Sequence, residues 1–205
     1  MSTIEINTLS TRDTDNIIKI FSDSFENYPL MEFIFGDLYE QSMRQISQLM
    51  VDEVNENNNN QRLLGAFVEG NLQGFAYISL PQKHINDNAE NTPTASEEEF
   101  AAKIGEKALM RMEAYLNLKK ANKPSSPHFY INTLAVNPQN QGKGIGSAIL
   151  SHIHQMSEKS LLSHGVALDT QTEQNVSYYQ RFGYSISNTA ELENINNWFM
   201  FRPNN

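Results

Sequence analysis

The sequence predicts one α/β or α+β domain built on a single sheet. Three observations carry this. Segments of strand character alternate with segments of helical period along the 205 residues. No internal repeat or second compositional region interrupts them. The length suits one domain, which usually holds roughly 100–200 residues.

Ile4 to Leu9 alternates apolar and polar residues and opens the chain as a strand. Asp13 to Phe25 places Ile17, Ile18, Phe21 and Phe25 at helical spacing behind an acidic first turn. A short aromatic segment, Tyr28 to Phe35, follows, and Leu38 to Val54 reads as a second helix with Met43, Ile46, Leu49 and Met50 on one side. The polar run Asn55 to Asn60 ends it as a turn. Arg62 to Glu69 and Leu72 to Leu80 read as strands joined by the hairpin pair Gly70-Asn71. Pro81 to Ser96 is a polar loop. One helix then runs from Ser96, capped by Ser96 and Glu99, with the stripe Phe100, Ile104, Ala108, Met112, Tyr115 and Leu116. Pro124 and Pro127 stop it.

Phe129 to Val136 is an apolar strand, and Gln139 to Ser147 is glycine-rich. A helix with Ile145, Ile149, Ile153 and Met156 on one face comes next, then a strand from Val166 to Thr170 and a short helix from Val176 to Arg181. Tyr184 to Asn188 and Trp198 to Arg202 are the closing strands.

Composition narrows the chemistry. There are 15 basic and 24 acidic residues, a net charge of −9, and no cysteine. The acidity disfavours a generic nucleic-acid binder, which displaces counterions with a basic surface. Without cysteine there is no disulfide framework, no thiolate zinc site and no thiol nucleophile. His152 and His154 stand two apart on a helix and share no face, so no metal site is expected. The first nine residues lack a basic start and an apolar core of signal length, and the apolar runs are far shorter than the roughly 20 residues that span a bilayer. The expectation is a cytoplasmic protein with no membrane contact, monomeric or homodimeric.

A strand, a glycine turn and a helix start in succession form an anion site, because the unpaired N–H groups of the first helical turn and the dipole face the ligand. Gly142-Lys143-Gly144 lacks the spacing of a P-loop and is followed by no Ser or Thr to hold magnesium. The dinucleotide fingerprint is also absent, since Gly146 comes one residue early.

Gln141-x-x-Gly144-x-Gly146, behind the strand ending Leu134-Ala135-Val136-Asn137-Pro138, resembles the acyl-coenzyme A loop of the GCN5-related N-acetyltransferases (GNAT family). Downstream, Asn175 leads to Tyr179-Gln180-Arg181-Phe182-Gly183-Tyr184, similar to the family's second motif. The segment 175–184, Pro127-His128-Phe129-Tyr130, the closing Trp198 to Arg202 and the stretch from Tyr28 to Phe35 resemble the branch that includes puromycin N-acetyltransferase. The resemblance implies one domain over residues 1–205, with its acetyl-CoA core at about 128–188. It implies a mixed, mostly antiparallel sheet flanked by helices, with a V-shaped splay between the two core strands.

It also implies roles. Gln141, Gly142, Lys143, Gly144, Ile145, Gly146 and Ser147 would hold the pyrophosphate of acetyl-CoA, and coenzyme A would leave as product. Leu134, Ala135 and Val136 would line the pantetheine arm, with the backbone of Leu134 and Val136 pairing with it as with an added strand. Asn175 would cap its helix or bond the cofactor. Tyr179 matches the general acid that protonates the departing thiolate. Asp169 is the candidate base, with His128 or water as alternatives. Tyr28, Phe33 and Tyr130 are expected at the acceptor, while Tyr178 is read as packing. The expected activity is direct acetyl transfer to a primary amine of a small molecule in a ternary complex, with N–H groups near a strand bulge at the oxyanion. Protein or peptide N-acetylation, and a non-catalytic acyl-CoA-binding module, are the alternatives. Residues 1–127 carry a net −8 and residues 128–205 only −1, which suits an anionic cofactor in the second part and points weakly to a cationic acceptor in the first.

Overall fold

A computed structural model describes residues 3–55, 60–82 and 95–204, with the side chains of 95–97 left aside. The strands are β1 (Ile4–Thr8), β2 (Gln61–Val68), β3 (Asn71–Ser79), β4 (Phe129–Val136), β5 (Gly165–Thr170), β6 (Ser185–Leu192) and β7 (Ile195–Pro203). The helices are α1 (Thr14–Phe25), α2 (Pro29–Phe35), α3 (Tyr39–Asn55), α4 (Ala95–Ile104), α5 (Glu106–Asn122), α6 (Ile145–Lys159) and α7 (Glu173–Gln180).

All seven strands form one sheet in the order β1-β2-β3-β4-β5-β7-β6. Only β4 and β5 run parallel; the other neighbours are antiparallel. One face packs against α1 to α5, where Ile17, Phe21 and Met43 meet Phe75. The other packs against α6, where Ile149, Leu150 and Ile153 meet Ala76, Ile78 and Ile131. Among the described residues no helix is long and apolar enough to cross a membrane.

Two features of β4 create an opening. Its pairing with β5 covers only Phe129↔Val166, Tyr130↔Ala167 and Ile131↔Leu168. Beyond Ile131 the two strands part, which is the expected splay. On the other edge, Tyr77 pairs with Thr133 but Ile78 with Ile131, so Asn132 is an extra, bulged residue. A bulge bends and twists its strand, and here it stands where β4 leaves β5.

The structure corrects several sequence expectations. The segment after Tyr28 is a helix: Pro29 occupies its first turn, where a missing N–H does no harm, and Leu30, Ile34 and Phe35 are buried. The hairpin pair is Glu69-Gly70, both at positive φ (50° and 76°), since Val68 already pairs with Asn71. The helix predicted from Ser96 is two helices, because Gly105 adopts φ 79° between them. Its first three stripe residues, Phe100, Ile104 and Ala108, are buried, but Leu116 is half-exposed. The Ser96 side chain, and most of the predicted Asn55–Asn60 turn and Pro81–Ser96 loop, lie outside the described residues. Helix α7 begins earlier than predicted. Its cap is Thr172, whose hydroxyl accepts from the Asn175 N–H at 3.3 Å; Asn175 itself is not the cap. Strands β6 and β7 extend to Leu192 and back from Ile195 through a turn with Glu193 at φ 55°.

Candidate active site

The glycine turn brings backbone N–H groups together at the start of α6. Gly142 and Gly144 sit at φ 74° and 85°, conformations that an L side chain strains. The α6 ladder begins with the Ala148 N–H on the Gly144 carbonyl at 2.9 Å. The N–H groups of Ile145, Gly146 and Ser147 therefore precede it without an upstream carbonyl. Gly146 is required for a different reason: a Cβ there would stand 2.8 Å from the Tyr178 hydroxyl. Tyr178 thus buttresses the turn, and it also bonds Ser147. Lys143 is exposed and donates to Asn140 Oδ1 at 2.6 Å. An anionic pyrophosphate fits this cradle of glycine, N–H groups and one cation.

The open edge of β4 leads away from the turn. The Asn137 N–H bonds the Gln73 carbonyl in the direction of β3. By alternation, the backbone groups of Leu134 and Val136 point to the side that β5 has left. The Val136 carbonyl there accepts from Ser24 Oγ at 2.9 Å and Gln141 Nε2 at 3.4 Å. Ala135 is buried under the α1 side.

A cavity of about 640 Å³ opens between the splay and helices α1 to α5. Tyr179, Asn175, Leu134, Asp169 and Tyr28 line it together. The Tyr179 hydroxyl has no hydrogen-bond partner among the described residues, and burial holds its pKa well above the usual 10. It stays protonated, as a proton donor must. Asp169 anchors the polar side. Its Oδ1 accepts from the Tyr130 hydroxyl at 2.7 Å, and its Oδ2 accepts from the Tyr115 hydroxyl at 2.8 Å and Gln171 Nε2 at 2.9 Å. Lys119 Nζ stands 3.8 Å from Oδ1, the two side chains being only 15% and 4% exposed. Lys119 also donates to the bulged Asn132 at 2.8 Å and lies 4.2 Å from the Tyr130 ring centre. Burial lowers its pKa, and Asp169 opposes that. Tyr28 donates or accepts with Thr170 Oγ1 at 3.0 Å, and its oxygen accepts the Gln171 N–H at 3.0 Å.

Other predicted residues stand elsewhere. Phe33 is off the cavity wall, with the Arg111 guanidinium 4.7 Å from its ring centre and bonded to its carbonyl at 2.5 Å. Tyr130 is also off the wall and reaches the site through Asp169. His128 is buried against Tyr130 and Phe201 with Nδ1 2.6 Å from the Ser126 carbonyl, and burial lowers its pKa. No cluster of three metal-ligating side chains occurs among the described residues. Sequence reasoning missed the site roles of Tyr115 and Lys119, one turn apart on α5, and of Gln171 just after β5, which form no motif, and of Ser24, whose role depends on a strand 112 residues away.

Residues 98–186 match the family model of the acetyltransferase (GNAT) domain. The whole chain superposes on arylalkylamine N-acetyltransferase 2 of Aedes aegypti, with a TM-score of 0.70 and 14% identity over 99% of this chain and 100% of that one. It is also similar to the polyamine N-acetyltransferase of Drosophila melanogaster (0.67, 16%, 97% and 98%). A third similar structure is the PaiA N-acetyltransferase of Thermoplasma acidophilum in complex with coenzyme A (0.60, 15%, 98% and 99%). The fold is the one these acetyltransferases share. The matched residues 98–186 include the glycine turn and Tyr179, and a GNAT domain implies acetyl-CoA binding.

Proposed function

We propose that the protein transfers the acetyl group of acetyl-CoA to the primary amine of a small molecule, directly and in a ternary complex. The observation that carries this is the Tyr179 hydroxyl, protonated and unpaired among the described residues, facing the same cavity as the open edge of β4. Bound acetyl-CoA would supply an acetyl group activated as a thioester. The glycine turn would hold its pyrophosphate through N–H groups of residues 141–147, and Leu134 would hold the pantetheine arm by backbone pairing. Tyr179 would hold the proton that the thiolate takes on leaving. Backbone N–H groups beside the Asn132 bulge would serve the oxyanion.

Asp169 is better read as an organiser than as the base. A carboxylate offers about four lone-pair sites, and here three hydrogen bonds and Lys119 occupy them. His128 is off the wall, so the acceptor's proton passes to water on this reading. Resemblance to the small-molecule amine enzymes among the structural neighbours, one for arylalkylamines and one for polyamines, supports the acceptor class. The test is thiol release from acetyl-CoA over a panel of amines, with Tyr179→Phe as the control. No thiol release with any amine of the panel, while acetyl-CoA still protects the fold against heat, would reduce the protein to a binding module.

A further inference from the structure

We infer that the acceptor is a primary amine carried on an apolar body, of alkylamine or arylalkylamine type. This deepens the proposal of amine acetylation and rests on it.

The cavity wall divides by chemistry. Away from Tyr179 it is built of side chains such as Phe25, Leu30, Met31, Leu49, Met50 and Met112. They come from α1, α2, α3 and α5, so the apolar surface surrounds the space instead of forming one side of it. Half-exposed Leu116 extends the apolar wall towards solvent. Burying each methylene of a ligand there removes it from water, and a cavity of about 640 Å³ is within the range of small-ligand sites.

The charged pair at the polar end does not favour a second ammonium there. Asp169 already faces Lys119 and takes three neutral donors. The polar end of the cavity therefore holds one cation and one anion. A polyamine entering it would bring a further cation towards Lys119, which is nearly buried. Two more carboxylates line the cavity: Glu53, which accepts a hydrogen bond from Tyr77, and Glu98, exposed on α4. The polar end has room in its chemistry for one small amine head beside Tyr28 and Tyr179, with the body lying among the methionines and aromatics.

The test uses the full chain and linear alkylamines of nearly equal basicity, from ethylamine to hexylamine, with spermidine and a lysine-containing peptide. Thiol release gives kcat/KM for each. The expected result is a rise of about fourfold per methylene, the equivalent of moving one CH2 out of water, with hexylamine above spermidine and the peptide. Met112→Trp, which narrows the cavity, should lower the hexylamine-to-ethylamine ratio at least about tenfold. Three results would overturn the inference while leaving acetyl transfer intact: spermidine preferred, peptide preferred, or no dependence on chain length. Faster transfer from hexanoyl-CoA than from acetyl-CoA to ethylamine would assign the apolar space to the acyl chain and overturn it too. No thiol release with any amine would remove amine acetylation itself.

Discussion

The Tyr178 hydroxyl lies 2.8 Å from the point where a Cβ on Gly146 would stand. Two motifs separated by about thirty residues in sequence therefore meet at the entrance of α6. The glycine there is needed for close approach, whereas Gly142 and Gly144 are needed for their positive φ.

This contact makes a double-mutant test possible. Gly146→Ala should destabilise the fold by about 1–3 kcal/mol through overpacking and weaken coenzyme A binding. In a Tyr178→Phe background the colliding oxygen is gone and the next ring atom is 3.8 Å away. The same Gly146→Ala change should then have little effect. Denaturant midpoints and calorimetric coenzyme A affinities of the four proteins would show the coupling; additive losses would contradict the contact.

Tyr179→Phe should lower kcat by about 100- to 10,000-fold, the usual range for a lost general acid, with acetyl-CoA affinity nearly unchanged. Burial keeps the Tyr179 pKa well above 10, so its proton is retained across the neutral and mildly alkaline range. No alkaline fall in kcat below pH 10 should disappear in Tyr179→Phe. Single-turnover kinetics against pH would check both statements.

Asp169→Asn should cost about 3–5 kcal/mol of stability, since Lys119 would remain as a buried cation without its partner. Asp169→Asn with Lys119→Met removes both charges and should recover a large part of the loss. If Asp169 were the chemical base, the double variant would regain stability but no activity. As an organiser, it should regain some of each. Urea titration and thiol release on the same samples separate these outcomes.

His154 supplies a pH dependence. Burial, reinforced by Arg202, holds its pKa at about 4 against an ordinary 6.5, and its ring bonds the Tyr184 hydroxyl at 3.0 Å. The folded pKa lies below the unfolded one, so the unfolded chain binds more protons between pH 4 and 6.5. Stability is thus complete above pH 6.5 and falls as pH drops towards 4, by at most about 3 kcal/mol from this group. His154→Gln should flatten that part of the profile, although His128, shifted the same way, leaves a remainder. Thermal melts of both proteins from pH 4 to 7.5 give the difference.

Elements with a strong local signature were legible in advance. Phe129–Val136 was bounded correctly because its core-facing apolar run ends at Asn137-Pro138. The glycine turn was visible because positive φ and close approach both demand glycine. Strand β6 was cut short because nearly all of it is exposed and shows no apolar alternation. Helix α2 was missed because its apolar residues crowd around Pro29. The break at Gly105 was hidden by a stripe that continues through it.

By itself the sequence determined where the chain turns, which helix starts from the glycine turn and which tyrosine follows it, since each depends on neighbours a few residues away. It also removed cysteine chemistry outright. Only the tertiary structure decided what surrounds that tyrosine. Asp169, Lys119, Tyr115 and Gln171 come together because β4 bulges at Asn132 and parts from β5, and because α5 lies over the gap. The buried partnership of Lys119 with Asp169 balances the charge at the polar end of a mostly apolar cavity. Net charge counts residues, whereas a site responds only to the few charges that packing places on its wall.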